Sequence, residues 1–180
     1  MAGATRVFWA KGYDGVTIDD LVAGMGVGRP SFYAIFGDKE TVFLRCLEGY
    51  GKSHGALGAA ALLGPAHVAE AIRALLRYLV ESATREDGPW GCLMVCVAPL
   101  VNDPRVRELL LRASAEIAAL VERRLRDGVE AGELPRHFPA ATRARQVVDL
   151  ARGLTVRARI GTPRAELLAD ADAAAALILQ

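Results

Sequence analysis

Neither sign of charge dominates this chain. Its 180 residues carry 22 lysines and arginines against 21 aspartates and glutamates, a formal net charge of +1. That balance removes the strongly basic character that marks many nucleic-acid binders. Long apolar runs are missing as well. The longest, Cys92 to Val101, is interrupted by Pro99 and falls far short of the ~20 residues a membrane-spanning helix needs. No membrane partner is expected. No basic, apolar, small-residue leader opens the chain, so a cytoplasmic location is expected. Cysteine is scarce. Three is an odd count, which argues against a disulfide framework and for reduced thiols. His54, His67 and His137 show no ligand spacing with those cysteines, so neither a metal nor another cofactor is expected. No Ser–His–Asp set stands out. Gly24-Met25-Gly26-Val27-Gly28 is glycine-rich, but no strand precedes it as a phosphate loop requires. An enzyme is therefore not expected. Internal repeats and low-complexity linkers are also absent, beyond an alanine-rich C-terminus.

What is present is helical material. The chain is 52% hydrophobic, rich in alanine and leucine and poor in β-branched runs, which predicts an all-α fold. The most informative stretch is Thr17 to Lys39. Thr17 is a good N-cap, and Asp20 three residues on completes a capping box with Asp in place of Glu. Ile18, Leu21, Val22 and Met25 then recur at helical spacing. Gly26 can take the positive φ that ends a helix. Pro30 is tolerated only in a first turn, so a second helix starts near Gly28 or Arg29 and runs over about 28–36. Phe32, Ile35 and Phe36 form its expected buried face. The pair reads as a helix-turn-helix. Arg29 at the mouth of its second helix offers a fork for guanine N7 and O6. Ser31, Tyr33 and Ala34 lie on the outside beside Pro30, where hydroxyls and thymine-methyl contacts are available. Thr17 places the N–H groups of a helix start toward phosphate. Residues 1–48 carry five basic side chains and six acidic ones, so such a head must rely on helix ends as much as on charge.

Asp38 caps a fourth helix, expected to run to about Lys52 before Gly49, Gly51, Gly55 and Gly58 weaken it. The predicted division is a helix-turn-helix domain over 1–48 and a helical regulatory and dimerisation domain over 49–180. A fifth helix spans about 66–86. A short sixth, Gly91 to Leu100, lacks polar residues and is expected to be buried all round. Asp103-Pro104 starts a seventh that ends at Gly132. An eighth covers about 139–160 and a ninth about 163–179. Leu75, Tyr78, Leu79, Trp90, Met94 and Val97 could line an apolar ligand cavity between helices five, six and seven, or could be plain core. Cys92 and Cys96 are four apart. Their Cβ atoms would sit about 5–6 Å apart, too far for a disulfide without unwinding. Small buried side chains are expected rather than a redox switch or soft-metal site. On helix eight, Val147, Leu150, Leu154 and Ala158 form one stripe, and Gly153 in mid-helix suggests that another backbone approaches closely. Helix nine offers Leu168, Ala171, Ala175 and Ile178.

F-W-x-K-G-Y-D-G-V-T-I-D-D-L at 8–21, M-G-V at 25–27, S-F-Y-A-I-F at 31–36 and D-K-E at 38–40 resemble the DNA-binding domain of TetR/AcrR-type transcriptional regulators. The resemblance covers about the first 45 residues. Gly91-Cys92-Leu93 and Ala131-Gly132-Glu133-Leu134 are similar to segments common in that family. The resemblance implies phosphate contacts from Tyr33 and Lys39. It implies a dimeric four-helix bundle from helices eight and nine. It also implies a longer first helix with a basic arm, which would lie upstream of Met1. The expectation is a homodimeric regulator, a repressor that a small apolar ligand releases from a palindromic double-stranded DNA operator. The alternative is a dimeric small-molecule-binding or interaction module whose head has weak or lost DNA binding.

Overall fold

Capping residues set most helix boundaries in the computed structural model, which describes residues 1–180. The fold is all-helical. α1 (Ala2–Lys11) ends at Gly12 with φ 74°. α2 (Ile18–Met25) begins with the expected reciprocal box. Asp20 N–H donates to Thr17 Oγ1 at 3.2 Å, and Thr17 N–H donates to Asp20 Oδ2 at 3.0 Å. Gly26 closes it in the left-handed region, φ 67°. α3 (Arg29–Phe36) starts with Pro30 in its first turn. Asp38 caps α4, accepting from Thr41 N–H at 2.6 Å.

α4 is Lys39–Leu63, one unbroken helix of 25 residues. It passes through all four glycines and well beyond the expected end near Lys52. Tertiary packing overrides the propensity cost. Tyr50, Gly58 and Leu62 are buried on its inner face. A Cβ at Gly51 would stand 3.1 Å from Met94 Sδ, and one at Gly58 3.5 Å from the Tyr78 ring. Glycine at 51 permits close approach rather than marking a stop, while a Cβ at 58 would make ordinary contact with its neighbours.

α5 is Val68–Ala83. The expected helix over 91–100 breaks into α6 (Leu93–Cys96) and a 3-10 turn, Ala98–Leu100. Pro99 has no N–H and its ring crowds the carbonyl four residues back, so a continuous helix cannot cross it. Nor is this piece buried all round: Leu93, Val97 and Ala98 are buried, but Leu100 is 80% exposed. α7 (Pro104–Glu130) is capped by Asp103, α8 is Ala140–Arg159 and α9 is Arg164–Ile178. The Ala131–Leu134 segment now has a structural role. Gly132 turns the chain at φ 77°. Glu133 Oε2 then accepts from Val68 N–H at 2.8 Å, capping α5, while buried Arg124 donates to the Ala66 carbonyl at 2.8 Å.

Two apolar clusters hold the molecule. The larger gathers α5, α7, α8 and α9 around Ile72, Leu76, Leu125 and Leu167. The other is the core of the head, with Phe8, Leu21, Phe32 and Phe43 at its centre. This second core is completed by Leu93, Val97, Ala98, Val106 and Leu109, from far along the chain. α4 contributes to both clusters, through Phe43 and Leu47 at one end and Leu62 at the other. No helix is long and apolar enough to cross a membrane.

Candidate DNA-binding head and ligand cavity

The outer face of α3 presents Arg29, Pro30, Ser31, Tyr33 and Ala34, all exposed. Ile35 joins them at 56% exposure, against the expectation that it is buried. α3 packs inward through the i, i+4 pair Phe32 and Phe36, whose rings lie 5.7 Å apart, so Ile35 falls on the open edge. No side chain caps the start of α3, leaving first-turn N–H groups open toward an anion. Tyr33 is half-exposed, its ring edge-on to Phe32 at 5.5 Å.

Two of the expected DNA-contacting cations are already engaged. The Arg29 guanidinium makes a two-pronged pair with Asp19, 2.8 and 2.7 Å, both residues being exposed. Such a pair on the surface is worth about 0–1 kcal/mol, so it positions Arg29 across the α2–α3 mouth without locking it there. Lys39 is held more firmly. Its Nζ donates to the carbonyls of Tyr13 and Val16, each at 3.2 Å, and lies 4.3 Å from the Tyr13 ring centre. It clamps the α1–α2 loop onto α4, and two of its three donors are unavailable to phosphate. Thr17 is exposed and serves the box; the Lys11 ammonium bonds Asp20 there. That bond, with those from Thr17, holds the Asp20 carboxyl down to about 2.

Behind the head lies a cavity of about 940 Å³. Of the expected lining, Leu75, Tyr78, Leu79 and Met94 face it. Trp90 and Val97 do not. Val97 is buried in the head's core, and Trp90 sits outside with its carbonyl accepting from Arg159. The cavity is wider than expected, because α4 and α8 supply walls too. Tyr50, Gly51 and His54 come from α4, and Val148, Ala151 and Thr155 from α8. The signal for the α4 wall was its glycines at 51, 55 and 58, one face of a helix. Cys92 lines the cavity beside Tyr50, and burial pushes its thiol above the usual range. Cys96 is half-buried and faces the Thr155 carbonyl at 4.0 Å.

The expected partner-facing residues are mostly interior. Val147, Leu154, Ala158, Ala171, Ala175 and Ile178 are each less than a tenth exposed within the single chain. Leu150 and Leu168 pack partly against the same cluster. The stripe at 147, 150, 154 and 158 is the inner side of α8, the one that binds α5 and α7. Gly153 alone faces outward, with open space around it. It continues into Val156 and Ile160, 45% and 77% exposed, and α9 adds exposed Leu177.

One side chain touches three parts of the molecule. Arg159, in the last turn of α8, donates to the Trp90 carbonyl at 3.1 Å and to the Trp9 carbonyl at 3.2 Å. Trp9 is in the last turn of α1, where a cation also suits the helix dipole.

Residues 1–46 match the family of bacterial regulatory proteins called tetR, and residues 68–175 match the tetracyclin repressor-like C-terminal domain. The HTH-type transcriptional repressor ComR of Escherichia coli is 27% identical over 170 residues, covering 92% of this chain and 80% of that protein. A cysteine-substituted form of the TetR family regulator CifR, solved with operator DNA, is 33% identical with a TM-score of 0.88, covering 97% of this chain and 93% of CifR. The Bacillus subtilis regulator FadR, solved with stearoyl-CoA, shares the fold at a TM-score of 0.80 with 12% identity, covering 99% of this chain and 95% of that one. The chain belongs to the TetR family and is a helix-turn-helix transcriptional regulator.

Proposed function

We propose that this protein is a homodimeric repressor that leaves a palindromic operator when a small molecule fills the cavity behind its head. The observation that carries this is the shared core. α6 contributes Leu93 to the core of the DNA-binding head and, one residue on, Met94 to the cavity wall. An occupant that moves α6 therefore moves the packing under α1–α3. Arg159 ties the loop before α6 to the end of α1 and gives a second connection. The ligand acts only to the degree that it binds the two arrangements unequally. The outward stripe of Gly153, Val156 and Ile160 with Leu177 is the face that a second copy covers. The recognition helices are α3, reading DNA through Arg29, Ser31 and Tyr33.

A second reading has its own support. Asp19 and Asp20 neutralise Arg29 and Lys11 within the head, as suits a binding module with little DNA affinity. A gel-shift titration on the DNA upstream of the protein's own gene decides between them. Repression predicts a discrete complex that survives excess scrambled duplex. Binding equal to scrambled duplex would favour the module.

A further inference from the structure

We propose that the cavity takes an uncharged aromatic molecule with one hydrogen-bond donor, a phenol in chemical class, and that His54 Nε2 accepts that hydrogen. This rests on the cavity being the ligand site described above.

The first observation is where charge lies. Glu48, Lys52, Arg112, Glu116 and Arg152 are the charged residues of the lining, and every one is exposed at the rim. Deeper in, the lining is uncharged. A carboxylate placed there would meet no cation in the deep lining, and Arg85 nearby is already paired with Asp87, so its burial is disfavoured.

The second observation is the arrangement of His54. Its ring stacks on Tyr50, centroids 3.8 Å apart at 18°. Nδ1 lies 3.1 Å from the Tyr50 carbonyl oxygen. A carbonyl can only accept, so Nδ1 carries the hydrogen, and Ser53 Oγ at 3.4 Å accepts from the same N–H. In the neutral ring Nε2 then keeps its lone pair, and no protein group bonds to it. Burial lowers the His54 pKa, which keeps the ring in this neutral form. The neighbouring hydroxyl has its hydrogen engaged, Tyr78 Oη donating to the His54 carbonyl at 3.3 Å, so it has no hydrogen to give to Nε2 and leaves that lone pair to a ligand donor. The cavity thus offers an acceptor beside stacked rings, next to Met94, whose thioether favours aromatic contact.

Equilibrium dialysis of the full chain against naphthalene, 2-naphthol and 2-naphthoate tests this. The wild type should bind 2-naphthol about tenfold more tightly than naphthalene, the effect of one hydrogen bond in a dry site. The naphthoate should bind more weakly than the naphthol. His54→Phe keeps a stacked ring without the acceptor, and the naphthol-to-naphthalene ratio should fall to near one. Gly55→Leu adds a large side chain at a lining position with open space around it and should reduce binding of all three. Tighter naphthoate binding, or an unchanged ratio in His54→Phe, would overturn the phenol proposal while leaving the cavity as a ligand site. If none of the probes binds, or if Gly55→Leu binds them like the wild type, the cavity reading itself fails.

Discussion

At the scale of single residues, the head is built from short-range polar bonds whose worth differs. Arg29 can exchange Asp19 for a guanine edge, because breaking an exposed pair costs little and a forked guanine contact is worth about 1–3 kcal/mol. Arg29→Ala should therefore weaken operator binding by about 1–3 kcal/mol and relax preference at one base position. Fluorescence anisotropy on single-base operator variants measures both, and wild-type affinity would contradict the docking assigned to α3. Lys39 is held within the head by two backbone carbonyls. Lys39→Met should lower the head's stability by about 1–3 kcal/mol, since two hydrogen bonds from a charged donor are lost, while the salt slope of DNA binding stays unchanged. Urea unfolding and a salt titration check the two halves. Asp20 brings a pH dependence. Its folded pKa, about 2, lies below the ordinary 3.8. The stabilisation is thus present above about pH 4 and lost as pH falls toward 2. Thermal midpoints between pH 5 and 2 should fall more steeply in the wild type than in Asp20→Asn.

At the scale of elements, most helix starts were readable because capping is local chemistry. Thr17 with Asp20, Asp38 and Asp103 each act within three residues of their own position. The length of α4 is hidden in the sequence for the opposite reason. Its glycines look like a stop until the far-off residues that press on them, Met94 and Tyr78, are known. The four positions are not alike. Gly49 is helical with open space around it, so Gly49→Ala should raise stability by about 1 kcal/mol. Gly58→Val should lower it, because added atoms would strike Leu75 and Tyr78. Calorimetric melting distinguishes them, and stabilisation by both would show that the close packing on α4 is unimportant. The broken α6 was likewise marked by Pro99, although its apolar composition suggested a continuous buried helix.

At the scale of the whole molecule, periodicity showed that α8 and α9 each have an apolar face but not which neighbour covers it. Val147 and Ala171 are as apolar as any partner-facing residue, yet α5 lies on them within the chain. The two sides of α8 should now separate cleanly. Leu154→Ala should cost folding stability of about 2–5 kcal/mol. Ile160→Glu should leave the fold intact and shift sedimentation equilibrium toward monomer. An Ile160→Glu variant that stays dimeric would place the interface elsewhere. The cavity was half legible: α5 and Met94 were in the pattern, whereas the α4 wall was hidden by residues that contribute by having no side chain.

The cavity and the DNA-reading head meet in one packed core through Leu93 and Met94, so on the proposed mechanism each responds to the other. Coupling between two sites is reciprocal in binding free energy. The most direct measurement is a fluorescence titration of the neutral apolar dye Nile red into the protein, alone and with saturating operator DNA. The shared core predicts that DNA weakens dye binding by at least about fivefold, the lower end of usual coupling. Equal dye affinity in the two titrations would mean that the cavity does not sense the head, and would contradict the account.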